Sequence, residues 1–398
     1  MPIAIKGGRV LTMDPGADGR DVEIDHGVVL IGDDGKIIAV GTEGDVTIPE
    51  GAEVVDATGK VVTPGYIDAH THVGIAEMAT GRDGSDTNEG SDPVTPQVRA
   101  IDATYPGDIA FGDALAAGVT AVNVMPGSGN VIGGLAVLLK TYGTRIDDMV
   151  VKHPTGLKAA MGENPKNNYG SQKKAPTTRL AVASLMRENL IKAQNYIARQ
   201  DAAASANDPT KPFERDLKME NIAMVLRHEI PMRWHAHRSD DILTAFRIRD
   251  EFGFDMVLDH ATEAHLIPDE LIKRNIPAIV GPTISTKYKV ELKNRTLTTP
   301  GILVKAGVKV ALTTDHYVVG IQYLPLLVIM AIKEGLPRDN AMRTVTRNPA
   351  EIMGVADRIG SLAPGKDADV VLWSGDPLDI YQRPLQVFIN GKQVYQYS

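Results

Sequence analysis

The chain has 398 residues, of which 43% are hydrophobic, 23% charged and 5% aromatic, the balance of a folded globular protein rather than a disordered, fibrous or membrane one. That length exceeds what one core usually fills, so one large domain with a smaller companion is expected. A formal net charge of −8 gives no electrostatic reason to expect nucleic acid or an anionic membrane as partner, and the absence of cysteine excludes disulfides, thiolate ligands and a thiol nucleophile.

The chain opens with MPIAIKGGRVLTMD, which alternates like a strand and lacks the apolar centre of a signal peptide. No apolar run reaches the roughly 18 residues of a membrane span. A cytoplasmic protein is expected. Residues 1–60 read as short strands punctuated by Gly-Gly, Asp-Gly and Asp-Asp-Gly turns, and residues 355–398 return to the same style. The two ends are expected to form one small β-sandwich domain around a barrel at 61–354.

The middle of the chain alternates strand-like and helix-like runs, the pattern of parallel βα units. The candidate strands are 61–70, 119–127, 135–141, 156–162, 231–237, 255–261, 277–284 and 308–316. Eight strands are what a closed (β/α)₈ TIM barrel of the α/β class requires. Between the fourth and fifth, NPKNNYGSQKKAPTT reads as an irregular loop. Residues 178–206 read as a helix, and NDPTKPFERD breaks it.

His70 and His72 form an H-x-H pair, whose side chains share one face of a strand. Lys158 lies in the fourth strand, His235 and His237 end the fifth, His260 ends the sixth and Asp315 ends the eighth. In a barrel such positions converge above the mouth, whereas unrelated core histidines have no reason to fall at the same end of successive strands. Imidazoles with a carboxylate suit zinc or a similar divalent ion. The glycine-rich run 126–134 lacks the lysine of a phosphate loop and reads as a close-approach loop or a plain turn. His26, His153, His228 and His265 read as surface or packing residues.

This order, H-x-H after strand one, Lys after strand four, His after strands five and six and Asp after strand eight, resembles the binuclear pattern of the amidohydrolase superfamily. PGYIDAHTHVG, GVKVALTTDH and NPAEIMGVADRIGSLAPGKDADVVLW resemble its first strand, its last strand and its return into the β domain. The HAHR, DHATEA and GEN segments are most similar to its imidazolonepropionase-like and Xaa-peptidase-like members. The resemblance implies a hydrolase of carbon–nitrogen bonds in amides, peptide-like compounds or cyclic amides, acting through a hydroxide shared by two zinc-type ions.

By position, the resemblance assigns His70 and His72 to the deeper ion and His235 and His260 to the other. Lys158 would bridge them as a CO₂-derived carbamate, unless it is an ordinary buried lysine and Glu163 supplies the carboxylate. Asp315 would be both a ligand and the proton shuttle. His237, Arg238 and His316 are candidate substrate contacts: His237 or His316 for a developing oxyanion, and Arg238 for a substrate carboxylate unless it pairs with Asp240 or Asp241. A small-molecule substrate and a homo-oligomer complete the expectation. Two rivals remain. A deaminase on this scaffold commonly carries H-x-x-E after strand five, where this chain has Arg238; a non-catalytic scaffold would not need the ligands.

Overall fold

The computed structural model describes residues 1–17, 19–206 and 212–398; residues 207–211, within the expected helix break, lie outside them. In chain order the strands are β1 (Ile3–Pro15), β2 (Asp21–Ile31), β3 (Ile37–Thr42), β4 (Glu53–Asp56) and β5 (Val61–Pro64). There follow β6 (Tyr66–Thr71), β7 (Val119–Val124), β8 (Ile132–Lys140), β9 (Val150–Ala160), β10 (Met232–Ala236), β11 (Met256–His260), β12 (Ala278–Val280) and β13 (Val310–Leu312). The last three are β14 (Val370–Trp373), β15 (Pro384–Ile389) and β16 (Lys392–Gln396).

Both ends of the chain meet in one eight-stranded sheet of order β16-β15-β14-β5-β1-β2-β3, with β4 beside β1. The join is β5, parallel to β1 through Arg9–Val61 and antiparallel to β14 through Pro64–Val370. Ile5, Val10, Val29, Val62, Val370, Leu372 and Phe388 share its core. The first candidate strand, 61–70, is therefore two strands: Val61–Pro64 serves the terminal sheet and Tyr66–Thr71 opens the barrel. Gly65 turns between them so close to Thr120 that a Cβ would sit 2.0 Å from its Oγ1.

The second sheet runs β6 through β13 in sequence order, the eight barrel strands expected. One differs in direction. β8 is antiparallel to both β7 and β9, so the units are not all parallel. The cause is connection length: residues 125–131 and 141–149 are too short for the crossover of a dozen or more residues that parallel neighbours need. A second difference lies after β9, where a helix (Glu163–Gly170) replaces the start of the expected loop, with Pro165 in its first turn. The helix Arg179–Ala206 then follows as expected, and no helix among the described residues is long and apolar enough to cross a membrane.

The barrel closes where β13 returns to β6, and a buried carboxylate makes the seam. Asp68 Oδ1 accepts from the Thr313 hydroxyl (2.7 Å) and His70 N (3.2 Å), while Oδ2 accepts from Thr314 N (3.0 Å) and its hydroxyl (2.6 Å). Burial pushes the Asp68 carboxyl up to about 6, against the pull of these bonds. Beyond the seam, His72 N donates to His316 O at 2.8 Å. Removing the acceptor strands several buried donors, so Asp68→Ala is expected to cost about 3 kcal/mol. Denaturant unfolding measures this; a midpoint like that of the unmodified protein would show that the seam is held by something else.

Candidate metal centre

Each side chain of the cluster arrives from the C-terminal end of a barrel strand. His70 lies in β6 and His72 just beyond it; His235 lies near the end of β10 with His237 past it; His260 ends β11; Asp315 follows β13. Lys158 points in from β9, two residues before its end, and is fully buried. Strand alternation puts His70 with His72 and His235 with His237 on the same face.

Two groups of donor atoms result, His70 with His72 and Asp315, and His235 with His237 and His260; within each the atoms lie within 4.8 Å of one another. Asp315 Oδ1 is 3.3 Å from His72 Nε2 and 3.6 Å from His70 Nε2, and its Oδ2 is 3.9 Å from His260 Nδ1. The His70 and His260 rings are 4.7 Å apart, so the groups adjoin. Lys158 Nζ is 3.2 Å from His70 Nε2. Glu163 is in neither donor group; it lines the cavity above, and its backbone N donates to Glu291.

Hydrogen bonds to one ring nitrogen orient most of these imidazoles. His72 Nδ1 is held by Met125 O at 2.7 Å, His235 Nδ1 by the Ser128 hydroxyl at 2.8 Å, His237 Nδ1 by the Thr262 hydroxyl at 2.7 Å and His260 Nδ1 by Gly281 O at 2.9 Å. Ser128 belongs to the glycine-rich run, which therefore does approach the site. His70 Nδ1 faces Asp259 Oδ1 at 3.2 Å, and Arg233 pairs with that carboxylate at 2.7 Å. Nothing in the sequence pattern marked Asp259 or Arg233. Both stand on the inner faces of their strands, where a charged residue at a core position is the available signal.

Burial, reinforced by neighbouring cations, holds His70, His235 and His237 well below the ordinary imidazole value, and burial takes His260 to about 4. These rings are neutral at pH 7, the form that binds a metal. Burial would raise Asp315 and Asp259, but His260 and His72 beside the first, and Arg233 and His70 beside the second, keep both well below the usual carboxylate range. Burial pushes the Lys158 ammonium down to about 8. His260 Nε2 is buried without a hydrogen-bond partner among the described residues. An orphaned ring nitrogen within a set of imidazoles and a carboxylate fits a divalent ion of the zinc type.

Above the cluster lies a cavity of about 420 Å³, lined by His72, His235, His237 and Asp315 with Tyr288, Lys289, Arg295 and Tyr317. Two candidate substrate contacts do not line it. Arg238 instead pairs with Asp240 at 2.8 Å, and His316 is buried behind the seam, where its Nδ1 accepts from Ile321 N at 3.1 Å.

A family model described as the amidohydrolase family matches residues 61–394, which carry the whole of this cluster. The chain belongs to the amidohydrolase family. Among solved structures it is similar to an amidohydrolase from Thermotoga maritima MSB8, at 42% identity over 99% of this chain and 100% of the other, with a TM-score of 0.93. It is 31% identical over 366 residues to amidohydrolase tasK of Hapsidospora irregularis, covering 86% of this chain but 37% of that relative, so it spans little more than a third of it. The imidazolonepropionase of Sphingopyxis alaskensis is 25% identical over 90% of this chain and 89% of its own. Proteins named as deaminases match as well.

The carboxylate of Asp259 backs the His70 ring at 3.2 Å. Asp259→Asn is expected to weaken zinc affinity roughly 10- to 100-fold, measured by competition with a chromophoric chelator. Unchanged affinity would remove Asp259 from the support of the site.

Proposed function

We propose that this amidohydrolase is a two-metal enzyme that hydrolyses an amide, peptide-like or cyclic amide C–N bond. The reading rests on one observation above all, the two adjoining donor groups with Asp315 in contact with both, at the floor of a cavity. His70 and His72 would hold one ion with Asp315, and His235 and His260 would hold the other. Lys158 stands beside His70 as the candidate bridge. With an ammonium pushed down to about 8, about a tenth of it is neutral amine at pH 7. That amine can add to CO₂, forming an N–C bond and releasing a proton to leave a carbamate anion.

Two bound cations would supply polarisation of a carbonyl and a water acidic enough to react near neutral pH. The chain's own residues do the rest. Asp315 begins ionised, as a base must, takes a proton from the attacking water and returns it to the leaving nitrogen. His237 lines the cavity and is assigned to donate to the carbonyl oxygen as negative charge develops there. Deamination is less favoured because Arg238 occupies the fourth position of the H-x-x-E motif that begins at His235, and turns to Asp240.

Metal analysis of the purified protein is expected to give about two divalent ions per chain, and Asp315→Asn is expected to retain them while turnover falls by roughly 10²- to 10⁴-fold. Full turnover by that variant would end the shuttle assignment. After chelation, reloading with zinc in CO₂-free buffer is expected to restore little activity until bicarbonate is added; equal recovery without bicarbonate would exclude the carbamate. A screen of N-acyl amino acids, dipeptides and cyclic amides identifies the substrate. Ammonia release from nucleobases with no amide cleavage would move the assignment to deamination.

A further inference from the structure

Two arginines are buried among the described residues, Arg233 at 1% exposure and Arg295 at 9%. Their surroundings differ. Arg233 is answered by Asp259 and donates to Ala69 O. Arg295 has no carboxylate within ion-pairing distance among the described residues; its NH1 donates to the Ser285 hydroxyl at 2.6 Å and to Thr286 O at 3.2 Å. Its Nε and NH2 groups make no hydrogen bond there, yet neither is sealed from solvent.

A guanidinium that is partly withdrawn from water and has no counter-charge is unfavourable, and a ligand at its open edge can supply the missing anion. Arg295 lines the cavity that also holds His235, His237 and Asp315. Burial pulls it below the ordinary arginine value, and its positive charge is felt at His237. The other cation of the lining, Lys289, is already engaged, donating to Asn164 Oδ1 at 2.7 Å and to Glu291 Oε1 at 3.2 Å. With NH1 tied to its own loop, Arg295 keeps one edge free, and that Nε–NH2 edge offers two parallel donors matched to the two oxygens of a carboxylate.

We propose that Arg295 is the anchor for a carboxylate on the substrate, so that the enzyme takes amides that carry a free carboxylate group. This rests on the hydrolase reading for the reaction but not for the anion site itself. The grip expected of Arg238 passes to Arg295, because Arg238 has Asp240 as its partner and lies outside the cavity lining.

The test is calorimetric binding to zinc-loaded protein of the N-acetyl derivatives of the common amino acids, each as the free acid and as its carboxamide. For the tightest pair, the acid is expected to bind about a hundredfold more strongly than the amide. Arg295→Gln is expected to bring that ratio below about three, and Arg295→Lys, which keeps the charge but loses the fork, to leave about tenfold. The lysine variant decides the question if the glutamine variant does not fold: an undiminished ratio there counts against the fork. A wild-type ratio near one, or a ratio that survives in Arg295→Gln because the bound ions hold the anion, overturns the proposal. Turnover is scored on the same compounds. Preference for acids without hydrolysis of any of them would sink the hydrolase reading while supporting the anion site.

Discussion

The two donor groups come together only because the last barrel strand is fastened to the first. Asp315 and the pair His70 and His72 are separated by more than half of the chain, and the bonds from Thr313 and Thr314 to Asp68 set them side by side. Such a contact carries a large loop-closure cost that no local interaction repays. It is met by a buried carboxylate with four donors, a stronger joint than a neutral hydrogen bond would make. The same seam delivers two further constraints, since His72 N bonds to His316 O and the Thr313 hydroxyl lies 2.6 Å from His70 O. The His70 and His72 pair, the Asp315 carboxylate and barrel closure are thus one structural unit.

Much of this could be read from the chain because the signals are local. The H-x-H spacing, the terminal position of His235 and His260 on short apolar runs, and the TTDH segment each declare a strand end, and a barrel converts strand ends into neighbours. What resisted reading depends on tertiary geometry. Asp259 and Arg233 look like ordinary charged residues until their strands, in register at His235 and Asp259, turn both side chains inward. Arg295 carries no mark in the sequence, because its burial beside the cavity arises from tertiary packing, while Arg238 is taken up by the nearby Asp240. The reversal of β8, by contrast, was latent in the sequence: the short connection between the second and third candidate strands already excluded a parallel crossover.

Buried charge divides the molecule into parts that are finished and parts that await a ligand. Arg233 with Asp259, and Lys140 with Asp367 and Asp369 where the barrel meets the terminal sheet, are paired within the chain. Such pairs are weak sources of net stability, because desolvation offsets most of their attraction, but they fix geometry. The centre is organised differently. Five imidazoles crowd against one carboxylate and a lysine whose burial works against its charge, and Arg295 has no acid beside it among the described residues. Elsewhere buried carboxylates are answered within the chain, by cations at Asp259, Asp367 and Asp369 and by hydrogen-bond donors at Asp68 and Asp108.

Part of the backbone strain falls at the same cluster. His260, Ala261 and Asp315 adopt positive φ values of 70°, 51° and 51°, a region that residues with a Cβ avoid at a cost on the order of 1–3 kcal/mol each. A strand that continued in extended geometry past His260 or Asp315 would carry these side chains to the wrong face. With the left-handed turn both side chains reach the cluster, His260 Nδ1 lying 3.9 Å from Asp315 Oδ2. Gly281 completes the arrangement from the neighbouring strand: at φ 143° its backbone passes so close to β13 that a Cβ would lie 2.3 Å from Thr313 O, and its own carbonyl holds His260 Nδ1. The positive-φ turns at His260 and Asp315 are therefore flanked by the seam on one side and by a residue without a side chain on the other, and a substitution at Gly281 would displace the carbonyl that holds His260 Nδ1.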